Sequence, residues 1–297
     1  MKRRTFLKSS CATLAAGLMA RPQWAWSQAS VDDRISLATL TFRARFAQTA
    51  IPDHPPVESL NLVQFPGFIA DTFHIHNVEA WSMHFDSTEP AYLEEVRAAL
   101  EAAHSRLINI QVQDGYDLAG EDEDARQACL DRCKNWFDAA AAVGSMSARI
   151  DLGQGTVERA IESFRELNEY AESKGVMMLV ENHGNLTDDP DNIIAIHDGV
   201  DSDNFDVVID FGNFPGDRYA GIEKLIPYVN HTIAAKTSGF DEDWNHTAFD
   251  FKRCVRISEE GGFQGIYSGM YWGPTPPDHD YERIAQWTVD SLRELLA

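Results

Sequence analysis

Two stretches in the second half of the chain decide the fold: 176-VMMLVENHG-184 and 205-FDVVIDFGNF-214. Each contains a short, mainly apolar run that ends in a carboxylate, which is Glu181 in the first stretch and Asp210 in the second. Such runs are typical of parallel strands, because both faces of these strands are buried. Helical segments precede and separate the two runs. The stretches therefore predict consecutive strand–helix units of a parallel sheet.

The same alternation of strand and helix extends in both directions along the chain. Strands are predicted at residues 35–42, 78–85, 107–113, 147–152, 176–181, 205–210, 232–236 and 264–271. Helices are predicted at residues 61–73, 90–103, 122–143, 156–173, from about 189, 219–228, 247–260 and 280–296. No glycine-rich nucleotide-binding loop follows the first strand, which disfavours a doubly wound open sheet. We therefore predict an α/β fold, a single (β/α)8 barrel over residues 30–297.

The first 29 residues have the pattern of an export signal. Twin arginines, Arg3 and Arg4, are followed by Phe6-Leu7-Lys8, a weakly apolar stretch, and small residues at positions 27 and 29. This order resembles a bacterial twin-arginine signal peptide that is cleaved after residue 29. We therefore predict export to the periplasm by the twin-arginine translocation (Tat) machinery. An ordinary basic, disordered N-terminus is the alternative.

The chain is strongly acidic. It has 25 Lys and Arg against 47 Asp and Glu, a formal net charge of −22, and loss of the five basic residues before residue 30 lowers this charge to −27. Such a charge repels phosphates and anionic headgroups, which argues against nucleic-acid and membrane-surface partners. No apolar run reaches the roughly 18 residues that a membrane span requires. The remaining cysteines, Cys129, Cys133 and Cys254, are odd in number and are predicted to be small core residues.

Polar side chains gather at the predicted carboxyl ends of the strands, where the sites of such barrels lie. Alternation places Gln111 and Gln113 on the same face of strand three, and Arg149 and Asp151 on the same face of strand four. Glu181, Asp210 and Lys236 end strands five, six and seven. Amides, carboxylates and cations together suit a ligand rich in hydroxyls, because each hydroxyl both donates and accepts. An internal ion pair between Arg149 and Asp151 is the structural alternative.

Four short motifs resemble the sugar phosphate isomerase/epimerase family of xylose isomerase-like TIM barrels. They are Val180-Glu181-Asn182-His183-Gly184, Asp210-Phe211-Gly212-Asn213-Phe214, Ala235-Lys236-Thr237 and Gly262-Phe263-Gln264-Gly265. The resemblance implies a divalent cation (Mn²⁺, Mg²⁺, Co²⁺ or Zn²⁺) held by a Glu, an Asp, a His and a Glu at strands five to eight. Glu181 and Asp210 match the first two ligands, whereas Ala234 and Met270 stand where the His and the second Glu are expected. A degenerate metal site is therefore predicted.

The resemblance implies a sugar isomerase or epimerase that uses carboxylate acid–base chemistry. Glu181 is the expected base or surviving ligand, Asp210 its partner, and Lys236 an electrophilic stabiliser. We expect the substrate to be contacted by the following residues: Gln111, Gln113, Arg149, His183, His84 and Trp272. His84 and His183 are also conceivable replacement ligands for a metal. A sugar-binding pseudoenzyme and a lyase or hydrolase of an oxidised glycoside remain open, as does the oligomeric state. A DNA-repair endonuclease is disfavoured by the negative charge.

Overall fold

The computed structural model describes residues 30–51, 58–274 and 280–297. Eight parallel strands in these residues pair in the order of the sequence, and the last strand pairs with the first to close a barrel. The predicted α/β class and (β/α)8 fold are confirmed. The predicted signal peptide, residues 1–29, lies outside the described residues and stays a prediction.

The order of elements follows the predicted alternation. The strands are β1 Ile35–Ala38, β2 Asn77–Trp81, β3 Arg106–Val112, β4 Ser147–Ile150, β5 Met177–Glu181, β6 Phe205–Asp210, β7 Thr232–Thr237 and β8 Ile266–Tyr271. The helices are α1 Phe65–Phe73, α2 Pro90–Ala102, α3 Glu123–Val143, α4 Val157–Ser173, α5 Pro190–Val200, α6 Arg218–Leu225, α7 Phe251–Glu260 and α8 Tyr281–Leu296. No helix in the described part of the chain is both long enough and apolar enough to cross a bilayer.

The first two strands are shorter than the sequence predicts. Strand one was predicted to reach residue 42 and strand two residue 85, but 3₁₀ helices follow β1 at Thr39–Arg45 and β2 at Ser82–His84. A hydrogen bond joins the starts of the two turns: the backbone amide of Trp81 donates to Thr39 Oγ1 over 2.9 Å. The apolar side chains of the first segment are buried by packing rather than by strand pairing, whereas Met83 in the second segment is 46% exposed. Periodicity cannot separate these two kinds of burial.

Side chains alternate between the inside and the outside of the barrel. The outward side chains form the main core with the helices, which includes the buried thiols of Cys129, Cys133 and Cys254. The apolar side chains among the inward ones form a second cluster, whose members are Ala38, Leu40, Trp81, Met177, Leu179, Val208, Ala234 and Met270. This inner cluster fixes the register, because a slip of one residue would turn all of these side chains outward.

The two ends of the described chain meet at the amino-terminal face of the barrel. A short 3₁₀ helix, Val31–Arg34, enters β1 there, and α8 returns to the same face. Arg293 Nε lies 2.7 Å from Asp32 Oδ1, and Arg34 is paired with Glu259 over 2.7 Å. These ion pairs join the start of the barrel to its last two helices.

Candidate functional site

A buried charge cluster lies at the carboxyl ends of β4 and β5. Arg149 Nη1 is 2.6 Å from Asp151 Oδ1 and also contacts Glu181 Oε2. The three side chains are at most 5% exposed. One guanidinium therefore offsets two carboxylates in a region of low dielectric, where an unpaired charge would be costly. The ion pair between Arg149 and Asp151 that the sequence left open is present.

A second charge cluster lies beside it, at β6 and β7. Asp210 Oδ2 is 2.7 Å from Lys236 Nζ and accepts from Asn213 Nδ2 over 3.0 Å. Asp210 Oδ1 accepts from the Gly212 amide over 2.6 Å. Lys236 therefore pairs with Asp210, while Glu181 pairs with Arg149. The reason is strand order, since β7 neighbours β6 and β4 neighbours β5.

His183 and Tyr116 border the first cluster. His183 Nδ1 is 3.3 Å from Asp151 Oδ2, and the Tyr116 hydroxyl donates to the same oxygen over 3.3 Å. Burial, and then the charge of Arg149, lower the pKa of His183, which keeps its ring neutral at pH 7. Asp151 and Tyr116 were not among the predicted site residues. The spacing of Asp151, two residues after Arg149, already predicts that the two side chains share a face, and this is the signal that brings Asp151 into the site.

The other predicted contact residues lie around the same end of the barrel. Gln111 points into the barrel, and its Nε2 lies 3.9 Å from Met270 Sδ. Gln113 follows β3 and is half-buried, and its backbone N–H donates to Ser82 Oγ over 3.4 Å. Trp272 follows β8 and is 51% exposed.

His84 packs among buried side chains, a position that does not favour the predicted contact with a substrate or a metal ion. It was expected at the end of strand two, but it lies in the 3₁₀ helix beyond β2 and is fully buried. Its ring stacks on Phe46 with the centroids 4.0 Å apart, and its Nε2 is 2.8 Å from Thr49 Oγ1. Burial, aided by Arg43, lowers its pKa to about 3, so the ring is neutral at pH 7.

The residues do not fit the divalent-cation site that the sequence resemblance implies. Ala234 and Met270 face the inside of the barrel, as predicted, but there they belong to the apolar cluster. A methyl group offers no donor atom, and a thioether is a poor ligand for Mg²⁺ or Mn²⁺. Asp210, moreover, already binds an ammonium group. The two positions at which the resemblance implies a His and a Glu are therefore occupied by apolar side chains.

A different set of donors does have suitable spacing. Asp151, Glu181 and His183 can offer three ligand atoms that lie within 4.8 Å of one another. Arg149, however, contacts both carboxylates of this set. An ion could bind the three side chains only if the guanidinium group moved away, so Arg149 competes for this position.

A closed parallel barrel with charged residues at the carboxyl ends of its strands defines the TIM-barrel class. Residues 70–295 match the family described as xylose isomerase-like TIM barrel, and the chain belongs to this family. A comparison with curated proteins finds no match.

Solved structures share the fold at low sequence identity. D-psicose 3-epimerase with D-tagatose, from Clostridium cellulolyticum, is 15% identical, with a TM-score of 0.67 over 89% of this chain and 99% of that one. The apo form of 3-keto-D-glucoside 4-epimerase from E. coli is 17% identical, with a TM-score of 0.63 over 89% and 98%. A xylose isomerase-like TIM barrel protein from Mycobacterium smegmatis, in complex with magnesium, is 17% identical, with a TM-score of 0.62 over 89% and 98%. Sugar epimerases and a metal-bound protein are therefore among its structural neighbours.

Proposed function

We propose that the protein is a periplasmic isomerase or epimerase of a sugar or sugar derivative, with a weakened metal site. The observation that carries this proposal is the pair of buried carboxylates, Glu181 and Asp210, at the same end of the barrel, each in an ion pair with a different basic side chain. The epimerases among the structural neighbours support the same class of chemistry.

Isomerisation and epimerisation both move a proton on a carbon atom next to a carbonyl group. In this proposal the Oε1 atom of Glu181 takes the proton, because no described residue donates a hydrogen bond to this atom. Arg149 holds the opposite oxygen, Oε2, and so orients the carboxylate. Lys236 stabilises the oxyanion that forms at the carbonyl oxygen, and Asp210 positions the ammonium group. Return of the proton from Glu181 to the neighbouring carbon, after proton exchange between the oxygens, gives an isomer. An epimer forms when water donates a proton to the opposite face of the carbon and the proton on Glu181 neutralises the hydroxide that remains.

A sugar-binding protein without turnover is the second candidate. The observation that favours it is that each carboxylate is engaged in an ion pair, an arrangement that can also be purely structural. Arg149, Lys236 and the amide of Gln111 would then serve as hydrogen-bond donors to the sugar hydroxyls. Turnover is the property that separates the two candidates.

Glu181→Gln should slow proton exchange about 100- to 10,000-fold, because it keeps the shape of the side chain and removes the base. The protein would be incubated in D₂O with a panel of aldoses and ketoses, and deuterium at the carbon next to the carbonyl would be followed by NMR. Glu169→Gln, at an exposed position of α4, is the matched control. Unchanged exchange in Glu181→Gln would contradict the assigned base. Binding of a sugar without exchange by the wild type would favour the binding protein.

The export proposal has its own test. Arg3→Lys with Arg4→Lys should leave uncleaved precursor in the cytoplasm, because the twin arginines are the feature that identifies the predicted signal. Cell fractionation with detection of both forms measures this. Lys2→Arg with Lys8→Arg is the matched control, since it preserves the arginine pair and the charge. Normal periplasmic accumulation of the first variant would refute the signal assignment.

A further inference from the structure

The mouth of the barrel has two chemically different halves. The charged residues described above come from β4, β5, β6 and β7 and their following loops. The large apolar side chains that are prominently exposed in the described chain are Met83, Tyr116 and Trp272, at 46%, 45% and 51%. They follow β2, β3 and β8, which are neighbours through β1. We call the side formed by β8, β1, β2 and β3 the apolar half of the mouth.

Trp272 is held rigidly in this half. The Arg43 guanidinium carbon lies 4.5 Å from the centroid of the Trp272 ring. Arg43 is itself anchored by hydrogen bonds to the carbonyl oxygens of Tyr271, over 2.9 Å, and Gly273, over 2.7 Å. Trp81 meets Trp272 edge to face, with the centroids 6.3 Å apart. An exposed indole that is fixed in this way loses little conformational entropy when a ligand packs on it.

Two donors beside Trp272 lack an oxygen acceptor. Trp81 is only 6% exposed, and its Nε1 has no hydrogen-bond partner among the described residues. Gln111 lies opposite Trp81 in the β2–β3 pairing, and its Nε2 donates to the thioether sulfur of Met270 at 3.9 Å. A buried donor without a partner is rare, and sulfur is a weak acceptor. The inner wall of the apolar half therefore contains two buried N–H donors that no oxygen of the described residues satisfies.

We propose that the apolar half is a subsite for a second sugar ring, and that the substrate is a glycoside rather than a single free sugar. A sugar ring combines an apolar C–H face, which packs on Trp272, with oxygens that accept from Trp81 and Gln111. A purely apolar group would leave the Trp81 N–H unpaired. The proposal rests on the proposed function, since the reacting ring occupies the charged half beside Glu181 and Lys236.

Calorimetry with matched sugars tests the subsite. The probes are D-glucose, D-xylose and D-galactose against cellobiose, xylobiose and lactose. At least one disaccharide should bind the wild type about tenfold more tightly than its monosaccharide, which corresponds to one stacked ring and one hydrogen bond. Trp272→Ala should remove most of that difference, because it weakens binding of the disaccharide more than binding of the monosaccharide. Trp81→Phe keeps an aromatic ring but removes the N–H, so it should weaken the disaccharide alone.

Trp287→Phe, in α8 and away from the mouth, is the control for loss of an indole. Equal affinity for both members of every pair, or equal weakening of both by Trp272→Ala, would overturn the second subsite while the proposed function stands. Tighter binding of p-nitrophenyl glucoside than of cellobiose, unaffected by Trp81→Phe, would overturn the assignment to a sugar ring. Absence of binding by every probe would count against the proposed function as well.

Discussion

Replacement of Arg149 by methionine should lower the free energy of unfolding by about 3–5 kcal/mol. The guanidinium is the group that offsets Asp151 and Glu181, and these side chains are 0% and 5% exposed. Without it, two buried carboxylates face each other with no cation between them. Urea unfolding at pH 7 measures the change. Arg97→Met is the matched control, because Arg97 pairs with Glu94 and Glu101 at the surface and should cost less than about 1 kcal/mol.

The same variant should acquire affinity for Mn²⁺ or Zn²⁺. Loss of Arg149 leaves Asp151, Glu181 and His183 with their ligand atoms within 4.8 Å of one another and without the competing cation. Added metal should therefore restore part of the lost stability by mass action. Two results would contradict the role given to Arg149: wild-type stability of Arg149→Met in the presence of a chelator, or equally tight metal binding by the wild type.

Rebuilding the ligand set that the family resemblance implies should produce a second large effect. Ala234→His with Met270→Glu places an imidazole and a carboxylate inside the barrel, and Lys236→Gln releases Asp210 from its ammonium partner. Ala234 pairs with Asp210 and Met270 with Lys236 in the sheet, so the new ligands lie beside the old ones. We expect the triple variant to bind Mn²⁺ at least about 100-fold more tightly than the wild type, and its melting temperature to rise with added Mn²⁺.

The double variant that keeps Lys236 is the informative control. Its affinity for Mn²⁺ should fall well below that of the triple variant, because the ammonium group occupies Asp210. Calorimetry on all three proteins separates the contributions. Equal affinities of the double and triple variants would show that Lys236 does not block the ion, and the weakened site would then be due to Ala234 and Met270 alone.

The sequence predicts most of the fold because strand and helix signals agree along the chain. β6 was predicted with its observed bounds. Several predicted helix starts are the observed N-caps: the side chains of Asp122, Thr156 and Asp280 each accept from a backbone amide three residues later. The segments after β1 and β2 were predicted wrongly, because an apolar run looks the same in a buried strand and in a buried 3₁₀ turn.

The candidate site was only partly predictable. Alternation along the strands and their parallel order place Arg149, Glu181, Asp210 and Lys236 at one end of the barrel on the evidence of the sequence alone. The sequence does not predict which of these charged side chains form ion pairs with each other. The pairing depends on which strands are neighbours in the closed barrel and on where the side chains end. The orphaned N–H of Trp81 could not be predicted either, since a missing partner is a property of the packed environment rather than of the residue.

The meeting of both described chain ends at the amino-terminal face has a practical consequence for handling the molecule. For a barrel prepared as residues 30–297, a bead, a sensor surface or a fusion partner attached at Ser30 or at Ala297 would hold the barrel by its base and leave the mouth open to solution. The two ion pairs that join this face also make it a good place to link the ends covalently. New termini could then be opened in a loop elsewhere, and the permuted barrel would keep every strand neighbour that builds the charged cluster.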